Sequence, residues 1–244
     1  MMMLGLIGLL LLGAGNVGLV YAEKTIPSGL SSLVLAVTPL YIALMERWLP
    51  NGEPLPPRGW VGMAIGFAGL TALLWPSLHS GLTGNSTLLW ALAALLAGAL
   101  MWAVGSIISR RARLPANTFV AAAWQMVFAG VFCTGLGSVL GEWPGFRVNA
   151  SSMGSLAWLV TGGSLLGYTA FIYLLEHVPV AKVSSYSYVN PVVAVLLGIL
   201  LLHERPAAAE FAGMAAIVVA VYLLTTARMK TRTTALPIEE PEIS

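Results

Sequence analysis

From Met2 to Thr226 the sequence is a succession of apolar segments, each roughly one bilayer thickness long, separated by short polar turns. They lie at about 2–22, 28–46, 59–75, 87–108, 118–139, 153–175, 182–202 and 208–226. Backbone in hydrocarbon must satisfy its own hydrogen bonds, so segments of this kind span as helices packed side by side. The expectation is an all-α polytopic membrane protein with about eight transmembrane helices. A hydrophobic fraction of 58%, only 9% charged residues and a mean hydropathy of +0.85 exclude an ordinary soluble domain.

The separators carry turn chemistry: Asn51-Gly52, Pro54 to Arg58, His79-Ser80-Gly81, Trp143-Pro144-Gly145 and Arg205-Pro206. Met1 to Leu4 lacks the basic region of a secretory signal, so the first segment reads as a retained span. Residues 227–244 are polar and read as a disordered cytoplasmic tail. Cys133 is the only cysteine, which excludes an intramolecular disulfide and a thiol metal site. The formal charge of +2 is carried by short loops, and no nucleic-acid footprint is visible.

Basic residues set the orientation. With eight spans, Arg47, Arg58, Arg110, Arg111, Arg113, Lys182, Arg228, Lys230 and Arg232 share one side with both termini. Lys24, Arg147 and Arg205 fall on the other side, so both termini are expected in the cytoplasm, in an inner or plasma membrane. The sequons at Asn85 and Asn149 then both lie outside, a weak agreement.

One span is unusually polar. Ser184-Ser185-Tyr186-Ser187-Tyr188-Val189-Asn190-Pro191 opens the seventh segment, and Pro191 should bend it. Polar groups at membrane depth need partners or a wet cavity, so this stretch suits a solute pathway or interhelical hydrogen bonding.

The chain also repeats itself. At an offset of 152, Tyr21 falls on Tyr173, Pro27 on Pro179, Ser32 on Ser184 and Thr38-Pro39 on Asn190-Pro191. One deletion later, Glu53 meets Glu204 and Gly62-Met63 meets Gly213-Met214. The matched segments run in opposite directions through the bilayer, giving inverted repeats of the kind found in secondary transporters, whose sites lie near the midplane. Segments four and five have no counterpart in the first half.

Tyr188-Val189-Asn190-Pro191-Val192-Val193-Ala194-Val195, followed by Leu201-Leu202-His203-Glu204-Arg205-Pro206, resembles the ninth helix and following loop of EamA-type proteins of the drug/metabolite transporter superfamily. Ala22 to Pro39 with Gly52-Glu53-Pro54 is similar to that family's third and fourth helices, Trp102 to Arg110 to its sixth, and Trp124-Gln125-Met126 to its seventh. The resemblance implies two inverted five-helix repeats around a central cavity, here lacking the first two helices of a ten-helix fold. Residues 1–76 would form a partial first repeat of three helices, and 86–226 a complete second repeat of five. It further implies a small-molecule substrate and an exporter working by alternating access. The other reading is a truncated or assembly-dependent membrane protein without transport of its own.

Twelve residues are candidates for contact with a solute: Asn16, Tyr21, Ser31, Thr38, Trp102, Ser106, Gln125, Tyr168, Ser185, Tyr186, Tyr188 and Asn190. Pro39 and Pro191 are the expected helix kinks. Gly163 and Gly167, and Gly62 and Gly66, form two GxxxG patterns that suit close helix packing, the second also a homodimer contact. Charged side chains such as Glu23, Glu46, Glu176 and Lys182 fall near segment ends, and no span carries a mid-depth carboxylate. That absence leaves proton relays and strongly charged substrates without a partner, and points to neutral, zwitterionic or amphipathic solutes such as amino acids or drug-like compounds. His79, His177 and His203 are isolated, and no catalytic constellation, metal cluster or cofactor motif accompanies them. Neither is there a charged ring or filter-like run to suggest a channel.

Overall fold

The computed structural model describes residues 1–25, 31, 34–81, 86–112, 117–145, 148–190, 192–193 and 208–227, and among these all regular structure is helical. The main helices are α1 (Met2–Glu23), α2 (Thr38–Trp48), α3 (Pro57–Gly81), α4 (Ser86–Arg111), α5 (Thr118–Val139), α6 (Ala150–His177), the single turn α7 (Val180–Val183) and α8 (Ala208–Thr226). Met2–Glu23, Leu89–Arg111, Thr118–Val139 and Ala150–His177 are long and apolar enough to cross a bilayer.

Local chemistry explains where several of them begin. Pro57 opens α3, where its missing N–H breaks no helical bond. Asn117 caps α5 by accepting from Phe119 N and Val120 N at 2.9 and 3.3 Å. Asn149 and Ser152 form a reciprocal capping box at α6, with bonds of 3.0 and 2.8 Å. The turn after α2 needs Gly52, because a Cβ there would come 1.9 Å from the Glu46 carbonyl oxygen.

Two expected continuous spans are broken. Pro39 does not kink a helix: residues 36–37 form a turn, and the proline occupies the first turn of the restarted helix α2. A proline there costs no hydrogen bond, whereas mid-helix it would. The Thr38 hydroxyl bridges the break by donating to Leu35 O at 2.7 Å. In the polar stretch, Ser184 and Ser185 form a turn after α7, and helix resumes over 186–190. Three-residue bonds from Ser187 N to Ser184 O and from Tyr188 N to Ser185 O, both 3.1 Å, tighten that turn. Pro191 lies outside the described residues.

Small residues bring the helices together. A Cβ on Gly18 would stand 2.6 Å from Ala94 O on α4, and one on Gly8 would stand 2.3 Å from Gln125 O on α5. Gly62, Gly66 and Gly69 let α3 close on α8, where their added Cβ atoms would meet Leu223, Ala220 and Ala216 at 2.8–3.0 Å. The Gly62/Gly66 face is therefore occupied within the chain, not left for a second copy. Ile7, Leu11, Ile107, Ile172, Leu175, Tyr188, Ile217 and Leu224 fill one core between these elements.

α1 and α6 each contain a π-helical stretch, at Leu9–Ala14 and Leu159–Tyr168. Such wide turns are rare and gather at functional places. Shifted by the sequence-repeat offset of 152, residues 9–14 fall on 161–166, inside the second stretch.

Candidate functional site

Two adjoining cavities of about 840 and 230 Å³ lie between α1, α4, α6 and residues 183–190. Asn16, Trp102, Tyr186 and Asn190 line both of them. Asn16 faces this space because Gly15 and Gly18 draw α1 against α4. Tyr186 and Asn190 face it because the helix restarts after the Ser184–Ser185 turn. Tyr168 and Phe171 enter the larger cavity from α6, and Thr38 and Ser187 enter the smaller. Among the described residues, none of those lining either space is charged.

The rings form one connected wall. Phe171 sits 5.4 Å from Trp102, 6.3 Å from Tyr168 and 5.7 Å from Tyr186, the last edge-on at 79°. Phe171 was not among the residues expected at the site. Its spacing of three from Tyr168 puts it on the same helical face, a signal hidden by the general apolarity of the segment. Ser187 was likewise passed over within the polar stretch.

Of the twelve candidates, Asn16, Thr38, Trp102, Tyr168, Tyr186 and Asn190 line the cavities. The other six sit elsewhere. Tyr21 lines a separate pocket of about 190 Å³ beside Asn16 and Val20, and its hydroxyl donates to Glu142 Oε1 at 2.8 Å. Ser31 and Ser185 are buried, and neither is among the residues lining these two cavities. Ser106 is buried and donates to Trp102 O at 2.7 Å, four residues back along its own helix, as mid-helix serines commonly do. Gln125 is buried behind the wall, where its Oε1 accepts from Tyr168 Oη at 2.6 Å. Tyr188 is fully buried on the opposite face of its helix, with its ring 3.3 Å from where a Gly66 Cβ would be. Its hydroxyl and Gln125 Nε2 are buried without a hydrogen-bond partner among the described residues.

The α6 glycines also depart from expectation. Among the described residues, Gly163 and Gly167 do not pack against another helix but line the larger cavity, and a Cβ on Gly163 would meet none of them within 4 Å. Residues 150–167 of α6 are exposed or half-buried throughout, whereas Ile172 and Leu175 in its final turns are buried.

The two ends of the bundle differ. At one end the Glu46 carboxylate takes Arg111 at 2.8 Å and the Glu53 N–H at 2.8 Å. Arg110 reaches Glu53 at 3.5 Å and donates to the carbonyls of Leu175 and Glu176, and the Thr118 hydroxyl donates to Glu176. At the other end Glu142 holds Tyr21 and Lys24 among the described residues, and both charged side chains are about half exposed. The Tyr21 hydroxyl first, then Lys24, holds the Glu142 carboxyl below its ordinary range by bonding the ionised form.

Comparison with known proteins places this architecture. The profile of the EamA-like transporter family matches residues 89–226. A protein named as the uncharacterized inner membrane transporter YedA, from Escherichia coli, is 37% identical over 221 residues, which is 90% of this chain and 69% of that protein. An uncharacterized transporter of Synechocystis, sll0355, is 26% identical over 81% of this chain and 63% of its own length. A solved crystal structure superposes with a TM-score of 0.73 at 27% identity, covering 91% of this chain and 74% of that one.

Proposed function

The chain belongs to the EamA-like transporter family, and from that premise we propose that it carries small neutral, zwitterionic or amphipathic metabolites, such as amino acids or drug-like compounds, outward across an inner or plasma membrane. The observation that supports this reading is the lining of the paired cavities: two asparagines, hydroxyls and aromatic rings, with no charge among the described residues. Amides can meet both ends of a zwitterion, while a multiply charged solute would enter unpaired at high cost.

The proposed architecture is eight spans in inverted repeats, and the matched π-helical stretches at an offset of 152 support it. With both termini cytoplasmic, the Glu46–Arg111 end faces the cytoplasm. That end is tied by charged pairs while the α6 wall stands uncovered toward Glu142, so the conformation fits the outward-facing member of an alternating-access pair. The uncovered 150–167 face also favours a second reading, in which the chain transports only when a further copy or another membrane protein covers it.

Proteoliposomes of the purified chain, challenged with neutral amino acids, amphipathic amines and dicarboxylates, test the proposal. Uptake restricted to the first two classes is expected. Movement of dicarboxylates alone would sink it. Activity that appears only on co-reconstitution with a partner selects the second reading.

A further inference from the structure

Gln125 stands outside the cavity, fully buried on α5, yet its amide oxygen accepts a hydrogen bond from the hydroxyl of Tyr168, which lines the cavity. Its Nε2 has no hydrogen-bond partner among the described residues. An amide kept only to join α5 to α6 would be expected to satisfy both of its groups, since buried polar groups are nearly always paired. Here one group alone is used, and it is used on a residue of the site.

The position matters as much as the bond. Tyr168 ends the π-helical stretch of α6, where the uncovered half of the helix meets the packed half that buries Ile172 and Leu175. Its ring lies beside Phe171, which in turn touches Trp102 and Tyr186. Anchoring the phenol thus anchors one end of the aromatic wall.

We propose that Gln125 is a positioning residue for solute binding: by accepting the Tyr168 hydroxyl's hydrogen bond it fixes the ring, pre-forms the aromatic wall, and leaves the phenol only lone pairs to offer. Resting on the transporter reading, this deepens it. The wall then suits the ammonium or apolar part of an amino-acid-like solute through ring faces and an acceptor oxygen, while the carboxylate turns to the Asn16 and Asn190 amides.

The test measures uptake of radiolabelled L-leucine, L-phenylalanine and L-threonine into proteoliposomes, with Gln125→Met, Tyr168→Phe and the double variant compared to wild type. Each single variant should raise KM about three- to tenfold with Vmax within about twofold, and the double should be no worse than the larger single effect. Additive effects, a fall in Vmax alone, or unchanged KM in Tyr168→Phe would overturn the inference while leaving transport intact. A wild-type protein that moves none of the three probes overturns the transporter reading, and this inference with it. If Gln125→Met does not fold, ultraviolet Raman spectroscopy still decides. The wild-type minus Tyr168→Phe difference spectrum should show a proton-donating phenol, and a non-donating one refutes the proposal.

Discussion

The Glu46 carboxylate, with its side chain only 4% exposed, receives Arg111 at 2.8 Å from sixty-five positions away in the sequence. The same carboxylate accepts the Glu53 N–H, and Arg111 also donates to Pro50 O at 2.9 Å. One ion pair thereby joins the end of α2, the turn after it and the end of α4. Arg110 alongside extends the tie to the end of α6 through the carbonyls of Leu175 and Glu176.

Removing Arg111 strands a buried negative charge. Arg111→Met should therefore destabilise the protein by about 3 kcal/mol, the low end for a broken buried pair because the arginine is 33% exposed. Glu46→Gln, which keeps an acceptor for Glu53 N and leaves the cation access to water, should cost less. Thermal unfolding in detergent orders the two, and the reverse order would contradict this assignment of burial.

The opposite end should respond to acid. Tyr21 and Lys24 lower the Glu142 pKa from its ordinary value of 4.5, so the folded state favours the ionised carboxylate. Its contribution is present above that ordinary value and is lost as pH falls through the lower folded value. The difference in unfolding temperature between wild type and Glu142→Gln should accordingly be steady at neutral pH and shrink as pH falls below the ordinary value of 4.5 toward the lower folded one. The group is about half exposed, so the difference will be small. A difference that grows on acidification would refute the tie.

The sequence made the helical membrane class legible because continuous apolar runs of bilayer length leave few alternatives, and the family followed from the Tyr188 to Pro206 stretch and its neighbours. The site was legible in part. Asn16, Tyr186 and Asn190 declared themselves as polar groups in hydrocarbon, and a cavity is one place such groups can go. A second destination, a buried partner, looks identical in sequence, and Gln125 and Ser106 took it. Glycine pairs carry the same ambiguity. Gly62 and Gly66 meet α8, while Gly163 and Gly167 border empty space, because GxxxG records the absence of side chains and not what fills the gap. The breaks at residues 36–37 and 184–185 were hidden by the prolines that follow, which drew attention to Pro39 and Pro191 instead.

The α3–α8 contact gives a sharp packing test. A Cβ at Gly69 would stand 2.8 Å from Ala216 Cβ and 3.0 Å from Gly213 O, so a branched side chain must part the two helices. Gly69→Val should cost about 1–3 kcal/mol, read as a loss of thermal stability. Gly163→Val, at a position where nothing lies within 4 Å, should leave stability unchanged and instead reduce the cavity and its transport.

Tyr188 and Asn190 are two residues apart, yet they should behave in opposite ways. Tyr188 fills the core against Gly66 with its hydroxyl buried and unpaired, so Tyr188→Phe keeps the packing and removes an orphaned polar group. Its stability should rise by about 1 kcal/mol, a few degrees in unfolding temperature, with transport kinetics unchanged. Asn190 lines both cavities, so Asn190→Ala should leave the unfolding temperature near wild type and lower transport efficiency about tenfold, the worth of one good hydrogen bond to a charged group. Parallel melting curves and proteoliposome uptake on the two variants separate these outcomes. If Tyr188→Phe loses transport while Asn190→Ala keeps it, the face of this helix that meets the solute has been assigned the wrong way round.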